Sequence, residues 1–409
     1  MDPAENPPLR LSERLAAIPE RRWWTSVFLA ALLVRLLWLA AWEAGGLTQR
    51  FGHDPYIEIA KYWLGWGPPS FDIAHPPLFP LWIAAVFSLI RHPSFLAIQL
   101  LNALLSSATC LLIGFWAERA ASSKPIGRLA GLWAAFAPLL VFFAVQAQSE
   151  PFFLFLELAF FLALLRAANP PSPAAAFGLG AAGGLVSLTR SVFGPFVPFL
   201  FVALFWPSRR ERRVWLWLLL FAGWSLGPAL WGLRNVARHG AFIPLAVNGG
   251  WNLWEGFTLD REEVRRRPYE MAAEAARAGI DPSDPVASGD YFARKTKSFI
   301  LEHPQQAAKI MAGKFFLYWR PWPYDPHAAR ARAAITAYFC VLFGLAAVGA
   351  FSLGSLPAVW PAFALILYLS MLHSVFFTSL RYRSPLEPFL CAFGAAGALR
   401  LWTRFVERP

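Results

Sequence analysis

Charge is scarce in this sequence. Of its 409 residues, 15% are Asp, Glu, Lys or Arg and 57% are hydrophobic; a soluble domain of ordinary make-up carries about a quarter charged residues. A single water-soluble globular domain is thereby excluded. Cysteine is scarce too. Cys110, Cys340 and Cys391 all lie in apolar stretches without metal-ligand spacing. That rules out a disulfide framework and leaves them as buried small apolar residues. The signatures GxGxxG, the P-loop and HExxH are missing, so no cytoplasmic nucleotide-sugar site is apparent. Acid is the scarcer sign of charge: 25 Asp and Glu stand against 37 Lys and Arg, a net +12. In a soluble protein that excess would suggest nucleic acid. In a chain this apolar, the tendency of cytoplasmic loops to collect Lys and Arg accounts for part of it, and no nucleic acid partner is expected.

What is abundant is long apolar sequence. Runs of about 17–25 residues recur from Trp23 to Trp402, each long enough to cross about 30 Å of hydrocarbon. Backbone polar groups in lipid must be satisfied within the segment, so these runs are helices. The expected class is an all-α polytopic integral membrane protein. About ten spans are placed at 23–44, 94–117, 127–146, 150–166, 175–189, 191–206, 214–234, 332–352, 356–376 and 384–402. The first 22 residues are polar and Pro-rich, so the first run reads as a retained span rather than a cleaved signal. The basic clusters Arg10/Arg14/Arg21/Arg22, Arg119/Lys124/Arg128, Arg209/Arg210/Arg212/Arg213 and Arg400/Arg404/Arg408 then share one side, which is cytoplasmic. An even number of spans puts both termini there, as a 1–22 segment and a 403–409 tail around a 23–402 membrane domain.

Two long segments, 45–93 and 235–331, fall on the opposite face. Pro77–Ile90 is short and Pro-bounded, and reads as a re-entrant or interfacial helix. Residues 260–303 are charged and helix-prone, with Asp281-Pro282 and Asp284-Pro285 as breakers. Residues 304–323 mix Lys309, Lys314 and Arg320 with Phe315, Phe316, Tyr318, Trp319 and Trp322, which suits a helix lying at the headgroups. No fixed-period repeat and no large soluble domain is expected.

The candidate chemistry gathers on that opposite face. Asp54 precedes Pro55, a strong helix-start pair; a carboxylate at a membrane surface between apolar walls is also suited to act as a general base. Glu150, in Gln146-Ala147-Gln148-Ser149-Glu150-Pro151, suits the start of a helix, where the dipole favours it. The sharper reading makes it a second acid beside Asp54. Arg381-Tyr382-Arg383 puts two arginines against the charge bias, either for headgroup contact or as a clamp on a lipid-linked phosphate. Arg190 and Arg234 each end a span on the same face and are weaker phosphate candidates. Tyr56, His75, Asn248, Asn252 and Trp254 are the candidate substrate contacts. Asn248 to Gly256 reads either as an interfacial turn with an aromatic belt or as a wall against sugar or lipid.

The order of these motifs carries a resemblance. An Asp-containing loop follows the first span, then Pro-Pro-Leu-Phe-Pro-Leu-Trp, Ser-Glu-Pro-Phe-Phe-Leu-Phe, Leu188-Thr189-Arg190, Arg234-Asn235, Pro244 to Trp254 and Arg381-Tyr382-Arg383-Ser384-Pro385. Over roughly residues 23–400 the chain resembles a bacterial GT-C membrane glycosyltransferase of the dolichyl-phosphate-mannose protein mannosyltransferase type (glycosyltransferase family 39). Relatives of the aminoarabinose transferase acting on lipid A are also similar. The resemblance implies a GT-C fold in the bacterial inner membrane and a polyprenyl-phosphate sugar donor. It further implies an active site facing the periplasm or exterior, and inverting transfer to an acceptor hydroxyl on lipid, glycan or protein. It implies no cofactor and usually no metal. Asp54 would match the family's catalytic acid, Glu150 the acid that opens a later span, and Arg381/Arg383 the basic end of the last core span. The family often has a second acid after the first; here that place is Pro55, which weakens a two-carboxylate metal model. The rival readings are a ligase or polymerase using a diphosphate-linked glycan, a flippase or transporter of lipid-linked sugars, and a non-catalytic scaffold. A transporter would expect inverted repeats and polar residues near the midplane, and neither is seen.

Overall fold

The computed structural model describes residues 10–47, 55–68, 70–166, 172–205, 214–258, 267–281, 283–322 and 329–407. Every described element is helical. Five helices are long and apolar enough to cross a membrane: Glu20–Ala44, Phe95–Ala121, Val214–His239, Arg332–Leu353 and Pro357–Val375. Lys124–Phe136 and Pro138–Ala144, bent by 52°, together make a sixth. The chain is therefore a multi-pass membrane protein, and large apolar side chains such as Leu37 and Phe351 face outward, where lipid tails rather than water would meet them. The remaining expected spans are helices as well: Glu150–Arg166, Pro173–Thr189, Phe193–Phe205 and Glu387–Phe405. Glu387–Phe405 carries three charged residues yet runs through the core, with Glu387 to Gly397 buried throughout.

Two pairs of helices approach so closely that only glycine fits between them. A Cβ on Gly180 would stand 2.1 Å from the Leu220 carbonyl oxygen, and one on Gly184 would stand 2.6 Å from that of Trp224. This is the small-xxx-small packing of membrane helices, here between Pro173–Thr189 and Val214–His239. Gly349 and Gly397 do the same between Ala329–Leu353 and Glu387–Phe405, at 1.8 Å from the Phe393 carbonyl and 2.0 Å from that of Leu345. The bend at Pro138 has an identifiable cause. Proline has no N–H to continue the ladder and clashes with the preceding turn, so carbonyls are freed inside the bundle. Arg35, fully buried, donates to the Ala135 and Ala31 carbonyls, each at 3.0 Å, and to Ser106 Oγ at 2.8 Å.

Shorter helices cover one end of the bundle. Pro55–Trp63 packs on Leu78–Ile90 through Tyr56, Ile57, Ala60, Phe79 and Ile83, a small apolar core of its own. Gly249–Thr258 lies against Pro285–Glu302, and Pro304–Tyr318 against Trp360–Val375. Asp284, expected with Pro285 as a break in the chain, caps the helix that begins at Pro285, accepting from the Val286 and Ala287 amides. Leu78–Ile90 is a 13-residue helix, as short as the sequence implies.

Candidate functional site

Three breaks in the helical pattern meet at the covered end. The first is the bent stretch before Glu150. Asn102, on Phe95–Ala121, donates to the Gln146 and Gln148 carbonyls at 2.7 and 3.2 Å, and Gln99 donates to that of Val145 at 3.0 Å. These bonds replace the helical ones that the stretch lacks, and they deliver Glu150 to the first turn of its helix. The second break is Arg190, the C-cap of Pro173–Thr189. The third is the 3₁₀ turn Leu380–Leu386, which presents Arg381.

Their side chains converge. Glu150 is fully buried and ion-pairs with Arg381, whose Nη2 lies 3.4 Å from Oε2, and with Arg190 at 3.5 Å. Arg190 packs over the Phe153 ring at 5.3 Å and the Tyr382 ring at 5.6 Å. Tyr382 stacks on His373 at 4.8 Å. Tyr56 and His75 close the other side, with ring centroids 4.9 Å apart, and the Tyr56 hydroxyl reaches Ser149. Burial, reinforced by the Arg381 charge, pushes the His75 imidazole down to about 4, so it is neutral at physiological pH. Burial likewise pushes the Tyr56 phenol up. Among the described residues the local sum is two guanidiniums against one carboxylate, with the His75 and Tyr56 rings uncharged. One positive charge is left over, and Arg381 remains 32% exposed to meet a ligand. Arg190 Nη1, buried, has no hydrogen-bond partner among the described residues.

Thus Tyr56, His75, Glu150, Arg190 and Arg381, all singled out in the sequence, form one site. The expected Arg381/Arg383 clamp is not formed. A 3₁₀ turn advances three residues per revolution, so residues two apart point in different directions. Arg383 runs inward, donates to the Tyr318 and Arg320 carbonyls at 3.1 and 2.8 Å, and lies over Phe339 at 4.3 Å. It is a packing arginine. Arg234 belongs to a second cluster. It bonds Asp72, stacks on Trp231 at 4.6 Å and lies 5.9 Å from Trp63. Asp72 also accepts from Trp63 Nε1 at 3.0 Å and sits 3.0 Å from His239 Nε2. Burial alone would raise the Asp72 carboxyl; the bonds from Arg234 and Trp63 outweigh it and hold the group below its ordinary range.

Asn248, Asn252 and Trp254 are placed by packing. The Asn252 carbonyl accepts from the Phe377 amide at 3.1 Å, and Trp254 meets Phe292 at 4.9 Å. Asp54 lies outside the described residues; Pro55, next in the chain, opens the helix that carries Tyr56.

Sequence reasoning missed Asp72 and expected Lys314 at the headgroups, whereas the structure turns it inward. An acid three residues before His75, in a chain so poor in acid, was the available signal for the first. Lys314 donates to the Gly256 and Val375 carbonyls at 2.9 and 2.7 Å, and burial pushes its amine down to about 7. It also missed Glu157, two turns inward of Glu150 on the same helix. That side chain is fully buried, and neither carboxylate oxygen has a partner among the described residues. Among the described residues no group of three or more His, Cys, Asp or Glu is placed to hold a metal ion.

Comparison with known proteins bears on this arrangement. Residues 74–230, which include His75, Glu150 and Arg190, match the family described as dolichyl-phosphate-mannose-protein mannosyltransferase. No curated protein matches the chain significantly. Among solved structures, the archaeal oligosaccharyltransferase AglB from Archaeoglobus fulgidus, in complex with an inhibitory peptide and a dolichol-phosphate, aligns with a TM-score of 0.53 at 13% identity. The alignment covers 94% of this chain and 51% of that one. The apo form of the Archaeoglobus fulgidus oligosaccharyltransferase aligns at 0.54 and 12% identity, covering 95% and 51%. The fold is the all-helical membrane GT-C fold. The chain spans about half the length of the oligosaccharyltransferases it matches.

Proposed function

We propose that this protein, a GT-C-fold membrane protein resembling the dolichyl-phosphate-mannose protein mannosyltransferases, transfers a sugar from a polyprenyl-phosphate donor to an acceptor hydroxyl. The observation that carries the reading is the charge balance at Glu150. Arg190 and Arg381 converge on one buried carboxylate and, among the described residues, outnumber it by one charge. A phosphate that gains negative charge as its bond to the sugar breaks fits that place, because fixed guanidiniums stabilise charge without reorganising. Further support comes from the family likeness over residues 74–230, whose description names a dolichyl-phosphate-linked sugar, and from the dolichol-phosphate bound to AglB.

In this reading the acceptor oxygen attacks the anomeric carbon from the face opposite the phosphate. The sugar–phosphate C–O bond breaks as the new one forms, and the configuration inverts. Asp54 takes the acceptor proton. Neutral His75 and Tyr56 offer hydrogen bonds to the donor without adding charge. Glu150 is the counter-ion that holds the two arginines in place while the site is empty. No step calls for a metal or other cofactor. The acceptor is a lipid, glycan or protein hydroxyl. The site faces the periplasm or exterior of a bacterial inner membrane, with both termini in the cytoplasm. Asn248, Asn252 and Trp254 lie in the layer of short helices where an acceptor would arrive.

The test is turnover by the purified protein in detergent, offered short-chain polyprenyl-phosphate hexoses and pentoses with cell-envelope extract as acceptor. Wild type should release free polyprenyl phosphate. Asp54→Asn should lose about 10²–10⁴-fold in kcat, as expected for removal of a general base, with donor binding kept. Arg381→Met should chiefly weaken donor binding. Consumption of a diphosphate-linked glycan instead would favour a ligase, and near-normal turnover by Asp54→Asn would remove the general base from the mechanism.

A further inference from the structure

The end of the bundle far from Glu150 holds a cavity of about 640 Å³. The helix Glu387–Phe405 links the two ends. It starts beside the Arg381 turn and runs 19 residues to the cavity, about 28 Å at 1.5 Å per residue. The cavity is lined by Arg10, Arg400 and Arg404, with Ser352 and Thr403 between them and Ile126, Leu353, Ala396 and Leu399 as an apolar wall. These residues come from three membrane helices and from the chain just before the Leu11–Ala17 helix.

The charges do not cancel. Glu407 is the one carboxylate in the lining. Its Oε1 is taken by the Leu11 amide and by Trp402 Nε1 at 3.2 Å, which ties the end of the chain to its beginning. None of the three arginines ion-pairs with a carboxylate among the described residues. Arg400 donates to Ser352 Oγ at 2.6 Å, which fixes it across the helix pair, and Arg404 extends along Phe405. The surroundings are those of a membrane boundary. Trp402 is exposed at this same end, at 43%, beside the exposed apolar Phe351 and Phe405. An exposed Trp of that kind sits at the headgroup level, where its amphipathic ring meets both phases. A basic cup at that level, open beside an apolar wall, is complementary to a molecule with a negative head and greasy tails.

We propose that this cavity binds the headgroup of an anionic phospholipid, with the phosphate on Arg400 and Arg404, Arg10 closing over it and the acyl chains running down the outer face past Phe351. A lipid so held clips the chain's beginning to the ends of Ala329–Leu353 and Glu387–Phe405. The site is separate from the proposed sugar-transfer site and does not depend on that reading.

The full-length protein, stripped of lipid in detergent, is titrated with phosphatidylglycerol and, separately, with phosphatidylcholine of the same acyl chains; bound lipid is read by native mass spectrometry. Phosphatidylglycerol should be retained at concentrations at least about tenfold lower, since each basic group at an anionic surface adds to the attraction. The double variant Arg400→Gln/Arg404→Gln should lose that preference while keeping its lipid-free unfolding temperature. If the double variant does not fold, Arg404→Gln alone, exposed on the last helical turn, should reduce the preference. Excess inorganic phosphate should not displace the lipid. Equal retention of the two lipids, an undiminished preference in the folded variant, or displacement by inorganic phosphate alone would each overturn the proposal.

Discussion

Replacing Glu150 by glutamine separates two jobs that a carboxylate at this position could have. In the native protein Glu150 is fully buried, Arg190 is 9% exposed at its side chain and Arg381 32%. Removing one member of a buried ion pair costs about 3–5 kcal/mol, because the other charge is left uncompensated. Here two guanidiniums lose their partner, but Arg381 can turn toward water, so the lower end, about 3 kcal/mol, is expected. The same change leaves the empty site with one more positive charge. If the arginines bind donor phosphate, Glu150→Gln should hold a short-chain polyprenyl phosphate more tightly than wild type does. Its stability should also recover when that lipid is added, by about 2.7 kcal/mol at a hundredfold excess over Kd. Unfolding midpoints in detergent, with and without the lipid phosphate, measure both effects. A variant as stable as wild type, or one that binds the lipid phosphate no better, would refute the assignment of Glu150 as counter-ion.

Acid should expose the neutral state of His75. Its folded value, about 4, lies below the ordinary imidazole value of 6.5. Between those limits the unfolded chain takes up a proton that the folded chain does not, so stability falls as pH falls from 6.5 toward 4, by at most about 3 kcal/mol. His75→Phe should flatten that part of the pH–stability curve in detergent; an unchanged slope would show that His75 does not supply it. At the glycine seams, Gly397→Ala should destabilise by about 1–3 kcal/mol or more, since its Cβ would meet backbone rather than a movable side chain. Gly313→Ala, with nothing within 4 Å, serves as the control for unfolding temperature. Asp72→Asn should cost about 1–3 kcal/mol by weakening the bonds from Arg234 and Trp63. It should loosen the Pro55–Trp63 helix in hydrogen exchange; protection equal to wild type there would count against that anchoring role.

Much of the architecture is legible in the sequence because a membrane leaves the backbone few options. Each apolar run had to be a helix, and the expected spans are helical, although 127–146 is split into Lys124–Phe136 and Pro138–Ala144 and five described helices, or six with that bent pair, are long and apolar enough to cross a membrane. The site is legible for a related reason: a polar residue that interrupts an apolar run needs a partner, and Glu150, Arg190 and Arg381 found one another. What the sequence hid was direction. Arg381 and Arg383 look like a pair when written out, and only the 3₁₀ geometry of Leu380–Leu386 sends one to Glu150 and the other into the core. The same is true of Arg234. Its partner, Asp72, lies 162 positions away, and no local pattern links them. The glycine seam was not read from the sequence: Gly180 and Gly184 are four apart, but spacing alone does not say which helix is received.

The two polar clusters are joined by one short helix, and that gives the second of them a functional meaning. Pro55–Trp63 has Tyr56 near its start and Trp63 at its end. Tyr56 sits in the Glu150 site against His75, while Trp63 bonds Asp72, which Arg234 and His239 hold. Asp72 and His75 belong to one short loop, three residues apart, so the two clusters are tied twice: by the helix and by the loop. The helix is thereby pinned at both ends onto the ends of membrane helices. A general base needs placement within hydrogen-bond reach of its proton, and Asp54 is the residue that precedes this pinned helix. On the proposed mechanism, the Asp72–Arg234 cluster is a positioning device. Weakening it should lower kcat through Asp54 while sparing the phosphate contacts at Arg190 and Arg381, which are anchored on other helices.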